Sequence, residues 1–230
     1  MKAGLFPKEN GGATVANNVR RIIVVDDHPV VREGLAQLIN HEPDLRICGQ
    51  FEDAARAFEA LPALQPDLAI VDLTLKAGSG LELVKNIRAN YPNLAILVLS
   101  MHDESLYAER VLRAGASGYI TKQEAADKVL GAIRRVLGGG VYLSERMNAR
   151  LMHELIGGKA GHGGSLMERL SDRELEIFGL IGQGRGTRQI AELLHLSVKT
   201  IESHRAHIKE KLNLKNANEL VHRAIRARGE

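Results

Sequence analysis

Between Arg20 and Leu137 the chain repeats one pattern five times, a short apolar run followed by a segment of helical periodicity. The pairs are Arg21 to Val25 with Val30 to Ile39, Leu45 to Gln50 with Ala54 to Leu64, and Leu68 to Val71 with Leu81 to Asn90. Leu94 to Leu99 with Ser105 to Ala114, and Gly118 to Ile120 with Ala125 to Leu137, complete the series. Runs such as Ile22-Ile23-Val24-Val25 have no polar face, which suits strands covered on both sides. Strict alternation of strand and helix predicts a parallel sheet with helices on both faces, because each parallel return needs a crossover. The expected fold class is α/β, a doubly wound five-stranded parallel sheet. Ligands of such sheets lie outside the carboxyl ends of the strands.

That unit does not use the whole chain. Gly138-Gly139-Gly140 ends its last helix, Ser144 to Ile156 has helical composition, and Gly157 to Gly164 has no apolar residue beyond one alanine. From Leu166 onward there is no strand pattern, and four short helices fit: Asp172 to Gln183, Thr187 to Leu194, Val198 to Leu212 and Asn216 to Arg226. Ser171 with Glu174 forms a capping box before the first, and Ser197 caps the third. The expected division is a tail over 1–19, an α/β domain over 20–137, a linker with one helix over 138–165 and an all-α domain over 166–230.

Composition excludes several classes. A chain with 44% hydrophobic and 26% charged residues is neither disordered nor membrane-embedded in character. No apolar run approaches the ~20 residues that cross a bilayer, and 1–18 lacks the continuous apolar stretch of a signal peptide. Membrane partners are therefore not expected, and the single cysteine, Cys48, excludes an internal disulfide and a multi-cysteine zinc site. The expected compartment is the cytoplasm.

The strand ends carry the chemistry. Asp26 and Asp27 follow the first strand, Asp72 the third, Ser100 the fourth, and Thr121 and Lys122 the fifth. Three carboxylates in one crevice repel one another unless a cation neutralises them, and an all-oxygen donor set suits Mg²⁺. A hydroxyl and an ammonium complete a site able to hold a phosphoryl group. Any one of these residues alone could be a solvated turn residue. The ordered set is what points to a site. His28 and His102 lie nearby in sequence, where no motif makes either a metal ligand.

The segments Val24-Val25-Asp26-Asp27-His28-Pro29, Ile70-Val71-Asp72-Leu73-Thr74-Leu75, Leu99-Ser100-Met101-His102 and Gly118-Tyr119-Ile120-Thr121-Lys122 resemble the receiver domain of bacterial response regulators, a flavodoxin-like fold. The resemblance implies that Asp72 attacks the phosphohistidine of a sensor histidine kinase and becomes an aspartyl phosphate. It implies that Asp26, Asp27, Asp72 and the backbone carbonyl of Thr74 hold magnesium, with Asp26 acting through water or orienting it. Lys122 would pair with the phosphoryl oxygens and Ser100 would hydrogen-bond one of them. Tyr119 stands where the family keeps an aromatic that swings inward when the hydroxyl is drawn to the phosphate. A haloacid-dehalogenase-type phosphatase fits less well, since those enzymes carry a second acid where this chain has Thr74 and place the motif on the first strand. Gly182-Gln183-Gly184-Arg185-Gly186 follows a helix, which argues against a dinucleotide fold.

The C-terminal helices carry a different signal. Residues 1–164 hold 19 basic and 19 acidic residues, whereas 185–228 hold 10 basic and 4 acidic, so the net charge of +3 arises at the end of the chain. At 100° per residue Ile201, His204, Ile208 and Leu212 share one face of the third helix, opposite Lys199, Ser203, Ala206 and Glu210. A short turn, His195-Leu196, separates this helix from the one before. Leu170-Ser171-Asp172-Arg173-Glu174-Leu175, Gln189-Ile190-Ala191 and Lys199-Thr200-Ile201-Glu202-Ser203-His204 to Lys211-Leu212 resemble the LuxR-type helix-turn-helix. With the receiver this is the NarL/FixJ layout. The resemblance implies that Glu202, Ser203 and Ala206 face base edges of double-stranded DNA. Arg185, Arg188, Lys199, Thr200, Arg205 and Lys209 are the candidate phosphate contacts. The function implied is a DNA-binding transcriptional response regulator, not an enzyme beyond its own phosphorylation and dephosphorylation. Its expected state on DNA is a phosphorylated homodimer paired through the last helix, with RNA polymerase as a further candidate partner.

Overall fold

The computed structural model describes residues 19–75, 78–156, 166–194 and 196–229. The tail over 1–18, the glycine-rich stretch Gly157 to Gly164 and His195 lie outside the described residues. The first part runs β1 (Arg20–Val25), α1 (Pro29–Asn40), β2 (Leu45–Phe51), α2 (Ala54–Leu64), β3 (Leu68–Val71), α3 (Gly80–Asn90), β4 (Ala95–Ser100), α4 (Glu104–Arg113), β5 (Gly118–Thr121) and α5 (Ala125–Leu137). Then come α6 (Glu145–Ile156), a 3-10 turn (Leu166–Arg169), α7 (Asp172–Gly182), α8 (Thr187–Leu193), α9 (Val198–Lys211) and α10 (Ala217–Gly229). Every element expected from the sequence is present with ends displaced by a few residues, and the 3-10 turn is an addition. Pro29 opens α1, where its missing N–H costs nothing. Ser171 and Glu174 form the expected capping box, and Ser197 accepts from the Thr200 amide.

The sheet order is β2-β1-β3-β4-β5 with every pair parallel. Alternate strand residues divide the core in two. Ile23, Val25, Ala69, Val71, Ile96, Val98 and Tyr119 pack under α2, α3 and α4, while Ile22, Val24, Leu68, Ile70, Leu97, Leu99 and Ile120 pack under α1 and α5. The chain reverses its direction of winding between β1 and β3, and this crevice is where a doubly wound sheet binds its ligand.

The segment after α5 stays on the sheet. Tyr142 donates its amide to the Ser117 carbonyl (3.1 Å) and accepts from the Tyr119 amide (2.9 Å), a parallel bridge beside β5. A Cβ on Gly118 would lie 2.9 Å from the Tyr142 carbonyl oxygen, so the strap needs glycine there. Ser144 then caps α6, accepting from the Met147 amide, and donates its own amide and hydroxyl to the Glu104 carboxylate on α4.

The cluster under α2 to α4 continues into the C-terminal helices, joining Leu106 and Tyr107 to Leu175, Ile177 and Phe178 of α7. Among the described residues no helix is long and apolar enough to cross a membrane.

Candidate functional site

Strand register builds the first site. Val25 pairs with Val71, so the next residues, Asp26 and Asp72, emerge side by side at the switch point. Ser100 pairs with Thr121, which brings Lys122 to the same rim. Backbone bonds extend the ladders past the last strand residues: the Asp72 amide donates to Val25 O (2.8 Å) and the Lys122 amide to Ser100 O (2.8 Å). Short apolar strands thus place four polar side chains within one crevice.

Asp26, Asp27, Asp72 and Ser100 are all buried. The Lys122 ammonium lies 2.6 Å from Asp72 Oδ2 and 2.6 Å from Asp26 Oδ2. Burial pushes the Asp72 carboxyl up to about 6, against the pull of Lys122. Lys122 is raised as well: desolvation pulls it down, but the attraction of Asp72 and Asp26 outweighs that. Thr74 donates its amide to Asp72 Oδ1 at 3.2 Å. Gly80 lies against the end of β3, its amide bonded to Leu73 O (3.1 Å). A Cβ at Gly80 would fall 1.9 Å from the Asp72 carbonyl oxygen, so only glycine admits this approach.

Asp27 Oδ1 is buried and accepts no hydrogen bond of ordinary geometry. Asp26, Asp27 and Asp72 offer carboxylate oxygens within 4.8 Å of one another, an oxygen-rich set that suits a hard divalent cation. The residues fit Mg²⁺. His28 is closer to this set than the sequence suggested, with Nδ1 2.7 Å from Asp27 Oδ1 and 3.0 Å from Asp26 Oδ1. An imidazole is a poor ligand for magnesium, so His28 reads as a hydrogen-bonding neighbour of the carboxylates. Arg32 donates to the Asp26 carbonyl and steadies the same turn.

Tyr119 is 1% exposed and donates its hydroxyl to the His102 carbonyl at 2.9 Å. The ring is therefore packed inside the domain. Burial pushes its phenol far above the usual range. His102 also places Nε2 2.8 Å from Thr74 Oγ1 and stacks on Tyr107, centroids 4.5 Å apart. Thr74 and His102 are 28 residues apart, and nothing in the sequence connects them.

The second site lies on α9. Ile201 and Ile208 are buried against the other helices, and His204 is half-buried as its inward position predicts. Lys199, Glu202, Ser203 and Ala206 are exposed, as are Arg185 and Arg188. Thr200, Arg205 and Lys209 are half-buried. Ser203 donates its hydroxyl to Lys199 O (3.1 Å), which leaves its lone pairs as the free function. The Thr200 hydroxyl is shared with Ser197 at 2.8 Å and belongs in part to the cap. Glu174 braces the helix from beneath: its carboxylate receives Lys211 Nζ at 2.6 Å and the Ser171 amide at 2.7 Å.

Residues 22–134 match the response regulator receiver domain, and residues 168–224 match the bacterial regulatory proteins of the luxR family. The oxygen regulatory protein NreC of Staphylococcus carnosus is 39% identical over 210 residues, covering 90% of this chain and 97% of that protein. The chain belongs to the NarL/FixJ response regulators. NreC of Staphylococcus haemolyticus is 38% identical over the same shares. Among solved structures, RcsB of Salmonella enterica serovar Typhimurium, bound to promoter rprA with the phosphomimetic BeF3⁻, shares 29% identity at a TM-score of 0.58. That match covers 89% of the response regulator and 98% of the RcsB chain. An RcsB–DNA complex gives 28% identity and a TM-score of 0.59 over 89% and 98%.

Proposed function

We propose that this response regulator accepts a phosphoryl group on Asp72 from the phosphohistidine of a sensor kinase and, so modified, binds a two-fold DNA site as a homodimer. The observation that carries it is the convergence of Asp72 with Lys122, Ser100 and two further carboxylates at the switch point of the sheet. An Asp72 carboxylate oxygen attacks phosphorus, the P–N bond to the kinase imidazole breaks, and its electron pair returns to the ring. Lys122 moves its contact from the carboxylate to the phosphoryl oxygens, and the Ser100 hydroxyl donates to another of them. Asp26, Asp27, Asp72 and the Thr74 carbonyl would hold Mg²⁺, which supplies charge neutralisation for the transferring oxygens. The chain then catalyses only the gain and loss of its own phosphoryl group.

On α9, Glu202, Ser203 and Ala206 would reach base edges in the major groove, while Arg185, Arg188, Lys199, Thr200, Arg205 and Lys209 contact phosphates. One short helix reads few bases, so pairing of two copies through α10 supplies the rest of the specificity. The division of labour follows the two family matches, with 138–165 as linker and the cytoplasm as the place of action. RNA polymerase is the partner through which bound regulator would change transcription.

The test is incubation with a small phosphodonor and Mg²⁺, read by mass spectrometry and DNA mobility shift. One lasting phosphoryl mass, absent in Asp72→Asn, with tighter DNA binding is expected. Uptake unchanged in Asp72→Asn would overturn the site, and turnover of many equivalents would indicate a phosphatase instead.

A further inference from the structure

We propose that the acidic crevice is also a site for a divalent first-row transition-metal ion, with His28 as the nitrogen donor that tells such an ion from Mg²⁺. The inference rests on the proposed use of Asp26, Asp27 and Asp72 as Mg²⁺ ligands and adds which ions the crevice favours. It starts from the order Asp26-Asp27-His28-Pro29. A residue before proline is held out of the helical region, and His28 is extended, with φ −90° and ψ 109°, just before α1 begins. Its amide donates to Asp26 Oδ1 at 2.8 Å, which ties this backbone to the end of β1. The ring follows: Nδ1 comes 3.0 Å from Asp26 Oδ1 and 2.7 Å from Asp27 Oδ1. Asp26, Asp27, His28 and Asp72 each offer one ligand atom, all within 4.8 Å of one another.

Two features separate this arrangement from an ordinary histidine–carboxylate pair. Asp27 is 8% exposed, and its Oδ1 has no hydrogen bond although Nδ1 is so near. Two lone-pair atoms left facing each other in a buried place call for a cation that both can hold. Donor atoms bound side by side on one ion at about 2.1 Å stand about 3 Å apart, the spacing His28 keeps from both carboxylates. The second feature is charge. The Lys122 ammonium answers Asp26 and Asp72 at 2.6 Å each and lies 3.5 Å from His28 Nδ1, so one cation faces three carboxylates and a divalent ion would balance the remainder. His102 is not the donor, because its Nε2 is engaged with the Thr74 hydroxyl at 2.8 Å.

The nitrogen decides between ions. Mg²⁺ takes oxygen ligands and keeps its waters, so His28 stays a hydrogen-bonding neighbour when that ion is bound; later first-row ions accept imidazole readily. The His28 side chain is 58% exposed, which puts its ring at the mouth of the crevice where an ion enters. Both ions draw on the same carboxylates and therefore exclude one another.

The test uses the full-length protein and Mn²⁺ as probe, followed by electron paramagnetic resonance with and without Mg²⁺. The parent should bind one Mn²⁺ that excess Mg²⁺ displaces, and its spin echo should carry the modulation of a histidine nitrogen, altered when the histidines are labelled with ¹⁵N. His28→Ala should lose that modulation and bind Mn²⁺ about tenfold or more weakly. Its affinity for Mg²⁺, read by competition, should stay within about twofold of the parent. Asp27→Asn should weaken both ions. Mn²⁺ bound without nitrogen modulation, modulation that survives in His28→Ala, or Mn²⁺ that Mg²⁺ does not displace each overturns the inference and leaves the Mg²⁺ site standing. If the parent binds neither ion, the Mg²⁺ step of the proposed function falls as well.

Discussion

The Lys122 ammonium stands 2.6 Å from Asp72 Oδ2, and the same nitrogen is 2.6 Å from Asp26 Oδ2. One buried cation therefore serves two carboxylates at the switch point. Lys122→Ala should leave Asp72 buried and uncompensated, raising its affinity for a proton above the present value of about 6. Loss of one positioned charge at a transferring group typically lowers the rate about 10²-fold or more. The phosphorylation rate with a small phosphodonor at pH 7 measures this. An unchanged rate would remove Lys122 from the mechanism.

Burial gives Asp72 a pH signature in stability. Its carboxyl sits at about 6 in the folded chain against 3.8 as the usual value, so the folded state holds the proton more tightly than the unfolded one. Stability attributable to this group is fully present below pH 4 and declines as pH rises to about 6. The gap is worth about 3 kcal/mol above that range. Asp72→Asn should therefore be more stable than the parent at pH 7.5 with chelator, by an amount of this order, and the advantage should vanish at pH 4. Urea unfolding at the two pH values checks it.

Glu174 shows the opposite sign. Burial pushes its carboxyl up, but the bonds from Lys211 and Ser171 outweigh burial and hold it below the usual 4.5. The stability it contributes is present at neutral pH and fades as pH falls below that usual value. Glu174→Ala removes half of a capping box and the brace between α7 and α9, a loss of about 1–3 kcal/mol. Thermal unfolding at pH 7 should show it, and the difference from the parent should narrow at pH 3.

Contacts on α9 should separate by their salt dependence. Lys199→Ala is expected to weaken binding to all DNA sequences alike and to lower the salt slope by about 1. Glu202→Ala should instead change preference at one base pair by about 1–3 kcal/mol. Binding isotherms on operator variants at several salt concentrations distinguish the two. A uniform effect of Glu202→Ala would take it off the base edge.

The sheet and its acidic crevice were legible because both depend on local pattern. Apolar runs of Ile22 to Val25 and Leu68 to Val71 set the strands, and the pairing of Val25 with Val71 carries Asp26 and Asp72 together as a consequence. Helix α9 was legible for the same reason, its buried Ile201 and Ile208 leaving the opposite face exposed. The bonds from Thr74 to His102, Ser144 to Glu104 and Arg110 to Asp172 were not legible. Each joins polar side chains from loops or helix surfaces distant in sequence, where no periodicity records the partner. His28 lay in plain view beside Asp27, yet its ring direction depends on the backbone turn that opens α1.

The strap at Tyr142 has a consequence for solubility. β5 ends the sheet, and an outer strand with bare amides and carbonyls invites a neighbouring chain to add a strand. Tyr142 occupies that place by bonding Ser117 and Tyr119, so another chain cannot add a strand there. A chain cut after Leu137 would uncover a free template for edge-to-edge aggregation. One carried on through Ser144 would keep it sealed.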